Sequence, residues 1–98
     1  MAKTKPFDAA KYLDSPEAVF IYLNDALASG DPAIITRAVG AVARSKGMKS
    51  IAQKAGLSRE NLYRLGTKAK PEFDTVMKVL SALNVRLVAA PKDANHLR

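Results

Sequence analysis

The sequence has no cysteine and a single histidine among its 98 residues. Without thiols the chain can form neither a disulfide framework nor a thiolate zinc site. The histidine, His96, stands in a polar stretch near the C-terminus with no second ligand or nucleophile beside it. We therefore expect no metal and no cofactor, and a fold that its hydrophobic core alone must stabilise.

A long apolar run is missing near the start of the chain. Residues 1–6 are basic, but the nearest apolar run, residues 18–23, is too short for the apolar region of a signal peptide or for a transmembrane helix. This predicts a cytoplasmic protein with no membrane partner.

No constellation of catalytic side chains is visible. Asp8 with Asp14, and Glu72 with Asp74, are the two conceivable carboxylate pairs, but both lie where the first turn of a helix favours acidic residues. No nucleophile has a base beside it. We expect a protein that is not an enzyme.

What the sequence does contain is positive charge concentrated in its middle. The formal net charge is +7. Residues 31–70 hold nine basic side chains and two acids, whereas the rest of the chain holds seven of each. Such a segment has the electrostatic footprint of a polyphosphate-binding protein. An ordinary solvent-exposed surface could carry the same charge, so the count alone does not decide between the two.

Capping signals predict helices over residues 16–29, 32–46 and 72–83. Ser15 and Asp31 are capping residues, and each is followed by a proline, which is favoured at the first helical position. Apolar residues recur with the 3.6-residue period in all three. They are Val19, Leu23, Ala26 and Leu27; Ile35, Ala38, Val39, Val42 and Ala43; and Phe73, Val76, Met77, Leu80 and Leu83.

The segment 85–89 is rich in β-branched residues and is followed by a proline, so it predicts a short strand. An unpaired strand leaves backbone groups open, and pairing with its symmetry mate would close them. We therefore expect a homodimer. The predicted organisation is a flexible arm at 1–8, one all-α domain of five to six helices at 9–91 that ends in this strand, and a polar tail at 92–98. Tyr12, Phe20, Tyr22 and Phe73 are expected in the core or an interface.

Residues 48–65 have the pattern of a helix-turn-helix. Ala52 lies on the apolar face of the first short helix and is small, as it must be where a second helix crosses closely. Gly56 stands where the chain leaves that helix, which often requires a positive φ. Ser58 is the predicted cap of the second helix.

The second helix of this motif is held by Leu62 and Leu65 and presents polar side chains outward. Arginine can bind guanine and asparagine can bind adenine in the major groove, so a helix of this kind is suited to reading duplex DNA. We expect Arg59, Asn61 and Arg64 to approach base edges. The whole predicted DNA-binding set is Lys49, Ser50, Gln53, Ser58, Arg59, Glu60, Asn61, Tyr63, Arg64, Lys68 and Lys70.

Residues 51–58 and 62–65, followed by Pro71 and the amphipathic helix to Val85, resemble the helix-turn-helix of the phage repressor and Cro class, the Xre family. Met48 and Gly66 depart from the glutamine and glutamate that many members of the class have at these positions. Without that glutamine, Lys49 and Ser50 must supply more of the DNA contacts.

A narrower resemblance covers roughly residues 7–91. Tyr12-Leu13, the helix at 16–29, Gly30-Asp31 and residues 58–63 resemble addiction-module antidote proteins, the HigA-like antitoxins. The resemblance implies an antitoxin of a type II toxin-antitoxin system that represses its own operon at a palindromic operator and neutralises a RelE-like or ParE-like toxin.

Two other functions remain open at this stage. The chain could be a stand-alone transcription regulator of the phage type, in which case no toxin gene would lie beside its own. It could also be a protein-interaction module whose helix at 16–29 docks a partner and whose basic face is incidental, which predicts no binding to duplex DNA at moderate salt.

Overall fold

The computed structural model describes residues 13–65, 67 and 70–92. This part of the chain forms five helices: α1 (Pro16–Ser29), α2 (Pro32–Lys46), α3 (Met48–Ala55), α4 (Arg59–Arg64) and α5 (Phe73–Ala82). The mostly helical architecture agrees with the predicted all-α class. The arm at 1–8 and nearly all of the tail at 92–98 lie outside the described residues, as do Tyr12, Gly66, Lys68 and His96.

The helix ends follow from local side-chain and backbone interactions. The Ser15 hydroxyl accepts the Ala18 N–H at 3.1 Å, and the Asp31 carboxylate accepts the Ala33 N–H at 2.9 Å. Both caps satisfy amides that have no partner within the helix. Gly30 ends α1 at φ 68°, in the left-handed region. The predictions for the first two helices are therefore confirmed to the residue.

Helix α2 is the centre of the fold, since it packs against each of the other four helices. Residues 38–43 are buried on every side of the helix, Val42 completely. All six of these residues are alanine, glycine or valine, and their small side chains leave room for neighbouring helices to approach. No helix in the described ranges is long and apolar enough to cross a membrane.

The predicted strand at 85–89 is wrong. The Val85 N–H bonds to the Leu80 carbonyl at 2.9 Å, and Asn84 has a φ of 64°, so this turn closes the C-terminal end of α5. Beyond it, Val85 and Leu87 pack against the core while Arg86 and Val88 are exposed. The composition of the segment suits a strand, but no other strand exists among the described residues to pair with it.

Two residues predicted in the core are instead exposed. Leu27 in α1 is 39% exposed and Phe73 at the start of α5 is 69% exposed, whereas Val79, absent from the predicted stripe, is fully buried. The buried face of α5 therefore lies at a different angle around the helix axis from the predicted apolar stripe. An apolar surface is left open between α1 and α5.

Candidate nucleic-acid interface

The turn between α3 and α4 is closed by two backbone hydrogen bonds. The Leu57 N–H donates to the Ala52 carbonyl at 2.9 Å, and the Gly56 N–H donates to the Gln53 carbonyl at 3.2 Å. Together they form a Schellman motif, in which the residue after the helix adopts the left-handed conformation. Gly56 does so, with φ 72° and ψ 32°. Leu57 then packs against the core, which sets the angle at which α4 leaves the turn.

We expect Gly56→Ala to lower the free energy of unfolding by about 1–2 kcal/mol, because an L-residue is strained in the left-handed region. A Cβ at this position would meet no atom within 4 Å, so the cost should be conformational and not steric. Urea denaturation measures it. Gly56→Asn is the matched control and should cost less, since asparagine tolerates this conformation. Equal losses for the two variants would contradict the explanation.

Helix α4 begins with the cap that its sequence predicts. The Ser58 hydroxyl accepts the Asn61 N–H at 3.0 Å, and the Ser58 carbonyl accepts the Leu62 N–H at 3.1 Å. The helix is only six residues long and depends on packing for its stability, since isolated short helices are marginal in water. It packs on α3 and α2.

The attachment of α4 to the core consists of Leu62 and of Leu65 just beyond its end, both completely buried. Tyr63 is 49% exposed although it is the largest side chain of the helix. The residues of α4 that face solvent are Arg59, Glu60, Asn61, Tyr63 and Arg64. The helix thus exposes two arginines, the Asn61 amide and the Tyr63 phenol, and only two leucines hold it to the core.

Helix α3 contributes a second exposed polar edge. Lys49, Ser50 and Gln53 are exposed, while its other face is buried in the core. The helix starts after the single residue Gly47, at φ 101°, and no side chain caps its first amides. Its N-terminal end therefore offers backbone donors together with the Lys49 and Ser50 side chains.

The exit from α4 contains a contact that the sequence reasoning missed. The Thr67 hydroxyl and the Thr67 N–H both donate to the Arg64 carbonyl, at 2.8 and 3.1 Å. The signal was a threonine three residues after the last helical position, where its hydroxyl can satisfy a carbonyl left open at a helix end. Lys70 follows and is exposed, whereas Lys68 lies outside the described residues.

Ten of the eleven predicted residues are described and solvent-exposed: eight lie on α3 and α4, Ser58 caps α4, and Lys70 follows it. Four of them, Lys49, Arg59, Arg64 and Lys70, carry positive charge, and one, Glu60, carries negative charge. Within the described ranges, no three His, Cys, Asp or Glu residues come together in a group that could hold a metal ion. The arrangement is suited to holding a polyanion by charge and hydrogen bonding.

The fold is that of a small helical protein in which α3 and α4 expose polar and basic side chains. The chain belongs to the family of probable addiction module antidote proteins, whose model matches residues 3–91. It is also 45% identical over 83 residues to an uncharacterised protein of Haemophilus influenzae, a match that covers 84% of this chain and 86% of the relative. No solved structure matches the chain.

Proposed function

We propose that this protein is a DNA-binding antitoxin that represses its own operon and neutralises a toxin of the RelE-like or ParE-like kind. The observation that carries the DNA-binding part is α4. This helix is anchored by Leu62 and by Leu65 just beyond its end. It exposes Arg59, Asn61, Tyr63 and Arg64 within the only strongly basic segment of the sequence. Such a surface contributes little to the core and is suited to the major groove.

The two exposed edges would make different kinds of contact with DNA. Arg59, Asn61 and Arg64 on α4 would approach base edges, which carry the sequence information. Lys49 and Ser50 at the start of α3, with Lys70 after α4, would hold phosphates on either side. The uncapped amides at the start of α3 would assist, because the N-terminal end of a helix favours anions.

A single copy of α4 is too short to define an operator. Six helical residues extend about 9 Å, enough to contact only about three base pairs. We propose that two copies bind a palindromic operator, with their half-sites about 34–36 Å apart. The strand that was expected to join two copies is not formed, so the dimer contact is not assigned to it.

The antitoxin part rests on membership of the antidote family, which implies a toxin partner. An antitoxin that also represses its operon must leave its positive surface free for phosphate. We therefore propose that the toxin binds outside α3 and α4, and that a ternary complex of toxin, antitoxin and operator can form.

The test is titration of the purified chain into two fluorescent duplexes, one carrying the promoter of its own gene and one a scrambled sequence. We expect tighter binding to the promoter, two chains per duplex, and an affinity that falls steeply with salt. Equal affinity for both duplexes would mean that α4 attracts DNA by charge and does not read its sequence. Absence of binding at moderate salt would favour the protein-interaction module instead.

A further inference from the structure

A groove of about 490 Å³ opens between α1 and α5. Its floor is α2, where Thr36 and Val39 are buried. Phe20 of α1 and Phe73 of α5 line its two sides, and Leu87 also lines it. Helices α1 and α5 both pack on α2 but hardly contact each other, which is why the space between them stays open. No residue of α3 or α4 lines the groove.

The groove exposes large apolar side chains that a closed core would cover. Phe20 is 50% exposed, Leu27 39% and Phe73 69%. Leu27 and Phe73 belong to apolar stripes whose spacing is typical of core-facing residues, yet no part of the described chain covers them. Contiguous exposed apolar surface with aromatic residues is characteristic of sites that bind other proteins.

Acidic residues lie beside the groove, although none of the residues that line it is acidic. Residues 13–36, which include all of α1, contain four acids and no basic residue. Glu17 lies one turn before Phe20 on the same side of α1. Glu72 is the extended residue just before α5, between Pro71 and Phe73 of the groove lining. Both carboxylates are exposed. Arg86 is the one charged residue among those that line the groove.

This charge argues against a second copy of the chain as the occupant. A two-fold symmetric contact places the same patch of both copies together. The acidic edges of α1 would then face each other, and like charges brought together across an interface are unfavourable. A partner segment with an apolar face and basic flanks would instead match both the apolar walls and the exposed carboxylates of Glu17 and Glu72 beside them.

We propose that the groove docks an amphipathic helix of the toxin, with its apolar face between Phe20 and Phe73 and with lysine or arginine residues facing Glu17 and Glu72. Two helical walls above a helical floor suit a helix laid into the groove. The inference rests on the antitoxin role proposed above. It assigns toxin and DNA to separate surfaces, since the groove shares no residue with α3 or α4.

The test uses the product of the gene adjacent to that of this chain as the probe, with its affinity measured by calorimetry. Phe20→Ser and Phe73→Ser should each weaken binding at least tenfold, because buried aromatic anchors carry much of the energy of an interface. Ile21→Ser is the matched control: Ile21 follows Phe20 in α1, is 64% exposed and does not line the groove. It should change the affinity less than twofold, and promoter binding should be unchanged in all three variants.

The outcomes separate the groove from the antitoxin role. If the wild-type chain binds the neighbouring product and the three variants bind it equally well, the groove is not the docking site but the antitoxin role stands. If the wild-type chain does not bind it, both proposals are overturned. If Phe73→Ser converts a wild-type dimer into a monomer in the absence of the product, the groove is a contact between two copies and the docking proposal is wrong. Thermal melting followed by circular dichroism confirms that each variant is folded.

Discussion

Replacing Arg59 or Arg64 by alanine is expected to weaken binding to the operator by about 1–3 kcal/mol and to change binding to a scrambled duplex little. Both side chains are exposed on α4, at its first and last positions, while the helix itself is anchored by leucines that the substitutions leave in place. The loss should therefore appear as a smaller ratio between specific and non-specific affinity. Fluorescence anisotropy with both duplexes across a salt series measures it.

Lys49→Ala and Lys70→Ala are the informative comparison for the arginine variants. If these lysines hold phosphates, each variant should weaken binding to both duplexes about equally and lower the salt slope by about one unit. Lys92→Ala removes the same charge outside the basic segment and should have little effect. Equal losses on both duplexes for the Arg59 and Arg64 variants would show that α4 attracts DNA without reading its sequence.

Leu62→Ala is expected to lower the free energy of unfolding by about 2–5 kcal/mol, the range found for leucine-to-alanine changes in well-packed cores. Leu62 is completely buried and is one of the two leucines that attach α4 to the rest of the protein. Urea denaturation followed by circular dichroism gives the value. A change of this size is a large fraction of the stability of a small domain, so the variant should also melt at a clearly lower temperature.

Leu27→Ala provides the matched control, because it removes the same atoms from a side chain that is 39% exposed. It should cost clearly less than Leu62→Ala, since less apolar surface returns to water and a smaller cavity forms. A similar cost for the two variants would mean that Leu62 does not anchor α4 as described.

The polar surface of α4 was predictable because it follows from the spacing of a few residues. Leu62 and Leu65 lie three apart and share one side of the chain, which turns Arg59, Tyr63 and Arg64 toward solvent. The contact of Thr67 with the Arg64 carbonyl was not predicted, because a threonine in a loop can satisfy many different backbone groups. The path of the chain after α4 determines that Thr67 contacts the Arg64 carbonyl and not another group.

The groove could not be predicted from either of the helices that form it. The stripes that contain Leu27 and Phe73 showed that both residues belong on an apolar face, but periodicity does not say what covers that face. Whether α1 and α5 meet depends on how each packs against α2. They pack at separate places, so the aromatic residues between them remain open to solvent.

The sequence by itself determined where α1, α2 and α4 begin and how the α3–α4 turn is made. The caps Ser15, Asp31 and Ser58 accept hydrogen bonds from amides two or three residues further on. The turn depends on the left-handed φ of Gly56. These interactions are therefore complete within a few residues of chain. The tertiary structure decided the rest. Residues 85–89 have the composition of a strand, but a strand requires a partner, and the turn at Asn84 directs Val85 and Leu87 onto the helical core instead. Burial and strand pairing depend on residues that are distant in sequence but close in space. Local patterns therefore predicted the helices correctly and this segment wrongly.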